Sequence, residues 1–332
     1  TAVARRTSNS WFVSTVCRHS RLTGSVLSIS AVDQRVTPLT HRITGGVSPG
    51  ILLMTAAMLV VPFMDAAAKL LSSRYPVLQL VWARFFFHFL LVLPVVLYKH
   101  GASVLSAPRP VLQLVRGLFL LLATGCFFAA IAFIPLADAI AIIFFDAVIV
   151  VALAPWVLRE RVPLNRWAAA VIGFAAVLLI MRPGLAGFHW ASLLALAAAL
   201  FWALYFLSTR ILTGETPPLV MLGWQSVAGF VLMTLLLPWF WVTPSFEDLL
   251  LMLVIGAAGA AGHLLLIRAF DYAEASLLAP LRYMEIIMQV LLGYWLFGDL
   301  PDLLAWAGIG LIVGVGVYLS RIQATAASRP AR

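Results

Sequence analysis

The sequence predicts an all-α integral membrane protein of ten transmembrane helices, arranged as two five-helix repeats of inverted topology. Three observations carry that reading. The 332 residues are 63% hydrophobic and 11% charged, with a mean hydropathy of +1.03. Soluble domains hold roughly 45–50% apolar and about 25% charged residues, and disorder needs low hydrophobicity, so both classes are excluded. Between residues 50 and 320 the apolar residues fall into runs of about 20, the length that crosses a bilayer as helix. Finally, the second half of the chain repeats the first.

The first element is polar. Residues 1–48 hold Arg5, Arg6, Arg18, Arg21, Arg35 and Arg42, many Ser and Thr, and one acid, Asp33. With no sustained apolar period, this segment is expected to be a disordered basic extension. The start at Thr1 rather than Met also fits a misplaced translation start, and the Arg- and Ser-rich, acid-poor composition resembles an organellar transit peptide.

Ten spans follow, at about 50–71, 77–98, 112–133, 136–158, 166–181, 190–211, 218–240, 249–270, 275–297 and 303–320. They are separated by Arg74-Tyr75-Pro76, Ala107-Pro108-Arg109-Pro110, Arg161-Val162-Pro163, Arg182-Pro183-Gly184, Gly214 to Pro218 and Asp299-Leu300-Pro301-Asp302. Proline cannot continue the helical ladder, and the polar groups need water. A bilayer offers no partner to free backbone groups, so helices are the expected spans. With the N-terminus inside, Lys99, Arg109, Arg159, Arg161, Arg166, Arg210 and Arg268 fall in or beside inner loops. The outer loops receive Arg74 and Arg182 with Glu247, Asp248, Asp299 and Asp302. This positive-inside bias predicts cytoplasmic termini, including the tail 322–332. It also explains the net charge of +9 without nucleic acid.

A shift of 139 aligns Pro155 to Glu160 with Tyr294 to Asp299, Trp167 with Trp306, and Asp146 with Glu285. A shift of 141 aligns Lys69 with Arg210 and Pro76 with Pro217, and 142 aligns Trp82 with Trp224. One unit runs over 50–182 and the other over 190–321. Five spans per unit is an odd number, so the second unit enters the membrane upside down. Secondary transporters use such repeats, with the substrate held between them near the midplane while they rock to give alternating access.

Several stretches in order resemble the EamA-type transporters of the drug/metabolite transporter superfamily. In the first unit they are Asp65-Ala-Ala-Ala-Lys69, Arg84-Phe85, Arg116-Gly117 at the opening of the third span, and Pro135 to Ala139. In the second they are Ala273 to Ser276, Ala279-Pro280, Tyr283-Met284-Glu285, Phe297 to Asp302, and Gly308 to Gly316. The resemblance covers 50–321 and is nearest to the branch that includes S-adenosylmethionine uptake carriers. It implies ten helices in two EamA repeats, a bacterial inner-membrane location and a small-molecule substrate.

An ionisable side chain at the bilayer centre costs about 2.5–3.5 kcal/mol even on a mild insertion scale, so such residues are the binding candidates. Asp146 and Glu285 are repeat equivalents in mid-span, and Arg282, three residues before Glu285, shares its helical face and could neutralise it. Arg84 lies too deep to snorkel and has the planar fork that reads a carboxylate. Asp65 and Lys69, four apart, can pair with each other as a clasp or touch substrate, or Lys69 can snorkel. Tyr283, Trp202, Tyr205 and Trp224 could stack on a planar or cationic group. His88, in an aromatic run, reads as a packed residue. The glycines at 256, 259 and 262, and at 308, 310, 314 and 316, read as helix-packing faces, within the chain or across a homodimer. A buried acid could also carry a proton.

No catalytic constellation, metal-ligand spacing or nucleotide-binding loop appears: Cys17 and Cys126 stand alone, as do His88 and His263. The chain is read as needing no cofactor or metal. Mixed signs in the core favour a carrier of small polar or zwitterionic metabolites, such as an amino acid or an S-adenosylmethionine-like derivative. Export of drugs or other metabolites is the alternative, with a passive channel or a membrane enzyme behind it.

Overall fold

A computed structural model describes residues 49–101, 107–157, 164–181, 188–212, 215–270, 272 and 278–327. The 1–48 extension, Arg159–Arg161, Arg182–Gly184, Ala273–Ser276 and the last five residues lie outside this set. Eleven α-helices are present among the described residues. They are α1 (Pro49–Leu71), α2 (Val77–His100), α3 (Pro110–Ile131), α4 (Leu136–Ile143), α5 (Asp146–Val157), α6 (Leu164–Met181), α7 (Ala191–Leu212), α8 (Pro218–Leu236), α9 (Phe246–Phe270), α10 (Met284–Phe297) and α11 (Leu303–Ala327).

Among the described residues, seven helical segments are long and apolar enough to cross a membrane: α1, α2, α3, Leu136–Leu153, α7, Pro218–Trp239 and Phe246–Ala269. Among the described residues, α6 and α11 contribute the shorter apolar stretches Trp167–Met181 and Leu303–Val315 to the spans expected at 166–181 and 303–320, and α10 supplies 14 residues of the span expected at 275–297. The last helix runs to Ala327, past the expected end of the second unit.

Two expected spans are interrupted. In the fourth, the amides of Phe145 and Val148 bond the carbonyls of Ile142 and Phe145, three residues back, and α5 starts afresh at Asp146. In the ninth, Ala279–Tyr283 is a 3₁₀ turn with Pro280 in its first positions, and the α-helix begins only at Met284. Proline supplies no amide to the ladder, which accounts for the second break.

Helices of the two halves pack in exchanged pairs. The first helix of one half lies against the third of the other (α1 on α9, α3 on α7), the second helices pair (α2 on α8), and the last helices pair (α6 on α11). Likewise α4 and α5 pack on α7, while α10 packs on α1. Glycine permits several of these approaches. A β-carbon on Gly256 would run into Phe87, one on Gly262 into Val61, and one on Gly308 into Ile180 and the Ala176 carbonyl. Gly310 and Gly314 meet no neighbour within the chain, so among the described glycines of α11 Gly308 is the one packed inside the bundle, and Gly316 lies outside the described side chains.

Candidate functional site

Both repeat-equivalent acids open a helix just past a break. Asp146 is in the first turn of α5 and Glu285 in the first turn of α10. A helix N-terminus favours negative charge, so each break places its acid at a helix start that a continuous span would lack. Asp146 is 1% exposed, and Arg282 Nη2 stands 3.5 Å from its Oδ2. Neither Asp146 oxygen accepts a hydrogen bond among the described residues. The spacing pointed to Glu285 as the partner of Arg282, but the ion pair reaches instead across the halves to Asp146.

The Arg282 guanidinium also lies 5.3 Å from the Phe144 ring centre and 5.2 Å from that of Phe206. Tyr283 packs on Phe144 at 5.2 Å, while Trp202 stacks on Phe206 at 5.5 Å and meets Tyr205 edge-on at 5.4 Å. Thus Asp146, Arg282, Tyr283, Trp202 and Tyr205 come together. Trp224 does not join them; it packs beside Val92, Val96 and Leu219.

A second polar group lies beside the first. Gln289, one turn after Glu285, donates through Nε2 to Asp65 Oδ2 at 2.6 Å. Arg84 donates to the Thr124 hydroxyl, which in turn donates to the Leu120 carbonyl at 2.8 Å. Asp65, Arg84, Thr124 and Gln289 are all buried. His88 is buried as expected, its ring 5.9 Å from His263.

Lys69 departs from its expected pairing. It does not clasp Asp65 but reaches the turn after α10. Its ammonium bonds Asp299 Oδ2 at 2.7 Å and the Ile134 carbonyl at 3.1 Å, and lies 4.7 Å from the Phe297 ring centre. Gly298, with φ +72°, ends α10 in the left-handed conformation that glycine adopts freely, and the turn brings Asp299 onto Lys69. Asp65 meanwhile finds a neutral partner in Gln289.

Arg116, at the opening of the third span, is also a buried arginine. It lies almost two turns inside α3 and is 1% exposed. It donates to Thr209 Oγ1 at 3.2 Å and the Met221 carbonyl at 2.5 Å, and covers the Tyr205 ring at 5.0 Å. The Tyr205 hydroxyl donates to Gln225 Oε1 at 2.8 Å. The rule that flagged Arg84 would have found Arg116.

Two ion pairs close opposite ends of the bundle, both between the halves. At one end Arg74 Nη1 meets Asp248 Oδ1 at 2.8 Å and the Tyr75 hydroxyl donates to Asp248 Oδ2 at 2.7 Å. That bond holds the Tyr75 hydroxyl above its usual titration range. At the other end Arg109 Nη2 meets Glu215 Oε1 at 2.8 Å and Gln113 donates to Thr216 at 3.1 Å. A shift of 141 carries Arg74-Tyr75 onto Glu215-Thr216, and 139 carries Arg109 onto Asp248. The two closures are therefore repeat equivalents with their signs exchanged.

The model of the EamA-like transporter family matches residues 48–182 and again 189–322. The S-adenosylmethionine uptake transporter of Rickettsia felis is 26% identical over 80% of this chain and 90% of its own length. The riboflavin transporter of Rhizobium johnstonii is 28% identical over 85% and 94%, and the pseudopaline exporter CntI of Pseudomonas aeruginosa 28% over 82% and 96%. A crystal structure of a protein 24% identical in sequence shares the fold, with a TM-score of 0.59 over 83% of this chain and all of that one.

Proposed function

Because the chain belongs to the EamA-like transporter family, matched twice along its length, we propose that it carries a small polar or zwitterionic metabolite across a bacterial inner membrane by alternating access. That it is a multi-pass membrane transporter of the EamA type follows from the family and from the transporters it resembles. The finer reading takes the substrate to be an amino acid or derivative of the S-adenosylmethionine kind. Ten spans result when α4–α5 counts as one, the 278–283 turn joins α10, and α6 and α11 each count as one. The units are 50–182 and 190–321, inverted, with both termini cytoplasmic.

One observation carries the assignment: the contact of Asp146 with Arg282. It joins the two halves where both acid-bearing helices are broken, and its carboxylate is buried without a hydrogen bond. Buried polar groups are normally satisfied, so such a group suits a ligand that brings its own donors. Broken helices whose ends face a substrate between repeats are a recurring device of secondary carriers. The exchanged packing of α1 on α9 and α3 on α7 supports the inverted pairing of the halves.

The test is counterflow in proteoliposomes, with S-adenosylmethionine as first probe and a metabolite extract as the wider panel. A carrier saturates and exchanges; a channel does neither. Asp146→Asn and Glu285→Gln should reach normal membrane levels, because each amide keeps the shape and removes a costly charge. Exchange should nevertheless fall at least tenfold, equivalent to about 1.4 kcal/mol. Parental exchange in both variants would move the site to Asp65 and Arg84.

A further inference from the structure

We propose that the place where Phe144 and Phe206 converge on Arg282 is a subsite for a planar heteroaromatic ring bearing N–H donors, and that the Arg282 guanidinium stands in for that ring. This rests on the carrier reading above and specifies one end of its substrate.

The two rings come from different halves, Phe144 at the end of α4 and Phe206 in α7, yet both lie within 5.3 Å of one guanidinium carbon. A guanidinium is flat and delocalised and stacks on aromatic faces as a heteroaromatic ring does. Tyr283 packs on Phe144 and Trp202 on Phe206, so the aromatic surface is larger than one arginine uses. Arg282 is not locked in place: its side chain is 31% exposed, and the ion pair that holds it is 3.5 Å long.

Asp146 gives the subsite its polarity. Both oxygens of this buried carboxylate lack a hydrogen bond among the described residues. A carbocyclic ring displacing Arg282 would leave the acid still less satisfied, whereas a ring with amino or ring N–H groups would supply the missing donors. The structure thus selects an amino-bearing heteroaromatic over a plain hydrocarbon ring. Shared between the halves, the subsite would change as they rock, which is what a carrier requires of its binding contacts.

The experiment measures binding to the purified full-length protein in detergent, by ligand-induced rise in unfolding temperature. Two probe pairs keep the charged end constant and differ in the ring: S-adenosylmethionine against S-methylmethionine, and tryptophan against leucine. In at least one pair the ring-bearing member should bind at least fivefold more tightly. Phe206→Leu, which keeps apolar bulk without a π-face, should erase that advantage, and Phe206→Met serves if the first variant folds poorly. Arg282→Lys keeps a charge opposite Asp146 but cannot lie flat on the rings, so it should widen the advantage at least threefold.

Equal binding within both pairs, no binding by either ring-bearing probe, or a ring advantage that survives at position 206 would overturn the subsite. A narrower advantage in Arg282→Lys would overturn the stand-in role, since the guanidinium would then be holding the ring. The carrier reading fails differently, by loss of saturable counterflow for the whole panel. Saturable exchange that ignores rings would sink this inference and leave the carrier intact.

Discussion

Replacing Lys69 with Met keeps the unbranched stem and removes the charge, which isolates the interaction at the end of α10. The ammonium makes a 2.7 Å ion pair with Asp299, a 3.1 Å bond to the Ile134 carbonyl and a contact with the Phe297 ring. Hydrogen bonds to charged groups contribute about 1.5–3 kcal/mol, and an exposed cation–π contact about 0.5–1. Against these stands the roughly 2 kcal/mol of side-chain freedom that an ordered lysine gives up. Asp299 is 31% exposed, so it can rehydrate when abandoned, and the 3–5 kcal/mol cost of a fully buried orphan charge, about that size in other proteins, does not apply. The net expectation is a loss of about 2 kcal/mol. Reversible unfolding in mixed micelles, run as a double-mutant cycle with Asp299→Asn, should give a coupling of about 1–2 kcal/mol. Asp65→Asn should couple to Lys69→Met by no more than about 0.5 kcal/mol, because the two side chains, though one turn apart, bond different partners, Gln289 and Asp299. Coupling of Lys69 to Asp65 in place of Asp299 would refute the reasoning and restore the clasp that their spacing suggests.

The two closures at the bundle ends should differ in strength. Asp248→Asn, at a buried carboxylate with two partners, should cost about 1.5–3 kcal/mol, whereas Glu215→Gln, in a pair whose side chains are 53% and 40% exposed, should cost about 0–1; unfolding curves of the two variants compare them directly. Gly256→Ala should destabilise the bundle because the new methyl meets Phe87 and the backbone nitrogen of His88, visible as a fall in thermal stability; an unchanged value would show that α2 and α9 can part there. For topology, a thiol probe applied from outside should modify Ser245→Cys and spare Ser103→Cys, and labelling at position 103 would reverse the orientation. Deleting residues 1–48, with a new start near Gly50, should leave counterflow intact, and loss of exchange at normal membrane levels would show that the extension contributes.

Much of the architecture is legible because a bilayer makes composition decisive: a run of twenty apolar residues has few other fates. The breaks are less visible. Pro280 marks one, but nothing in Ile142 to Phe145 announces that α4 stops before Asp146, since four large apolar residues read equally well as helix. The pairings were the hardest to see. Lys69 and Asp65 are neighbours in sequence, yet each is taken by a group more than two hundred residues away, Asp299 and Gln289. A glutamine carries no charge and so escapes any search for compensated ions. Arg116 stands near the start of a span, yet the helix begins early enough to bury it.

The exchanged signs of the two end closures bear on how the halves recognise each other. If the halves are inverted copies, two first halves could be laid together in the same geometry, but Arg74 of one would then face Arg109 of the other at both ends. Two second halves would set Glu215 against Asp248, acid on acid. Opposed like charges discourage an association, while unlike ones orient it. Only a first half with a second half puts a cation opposite an anion at both closures. End charge therefore favours the pairing of unlike halves seen here over either half with its own kind.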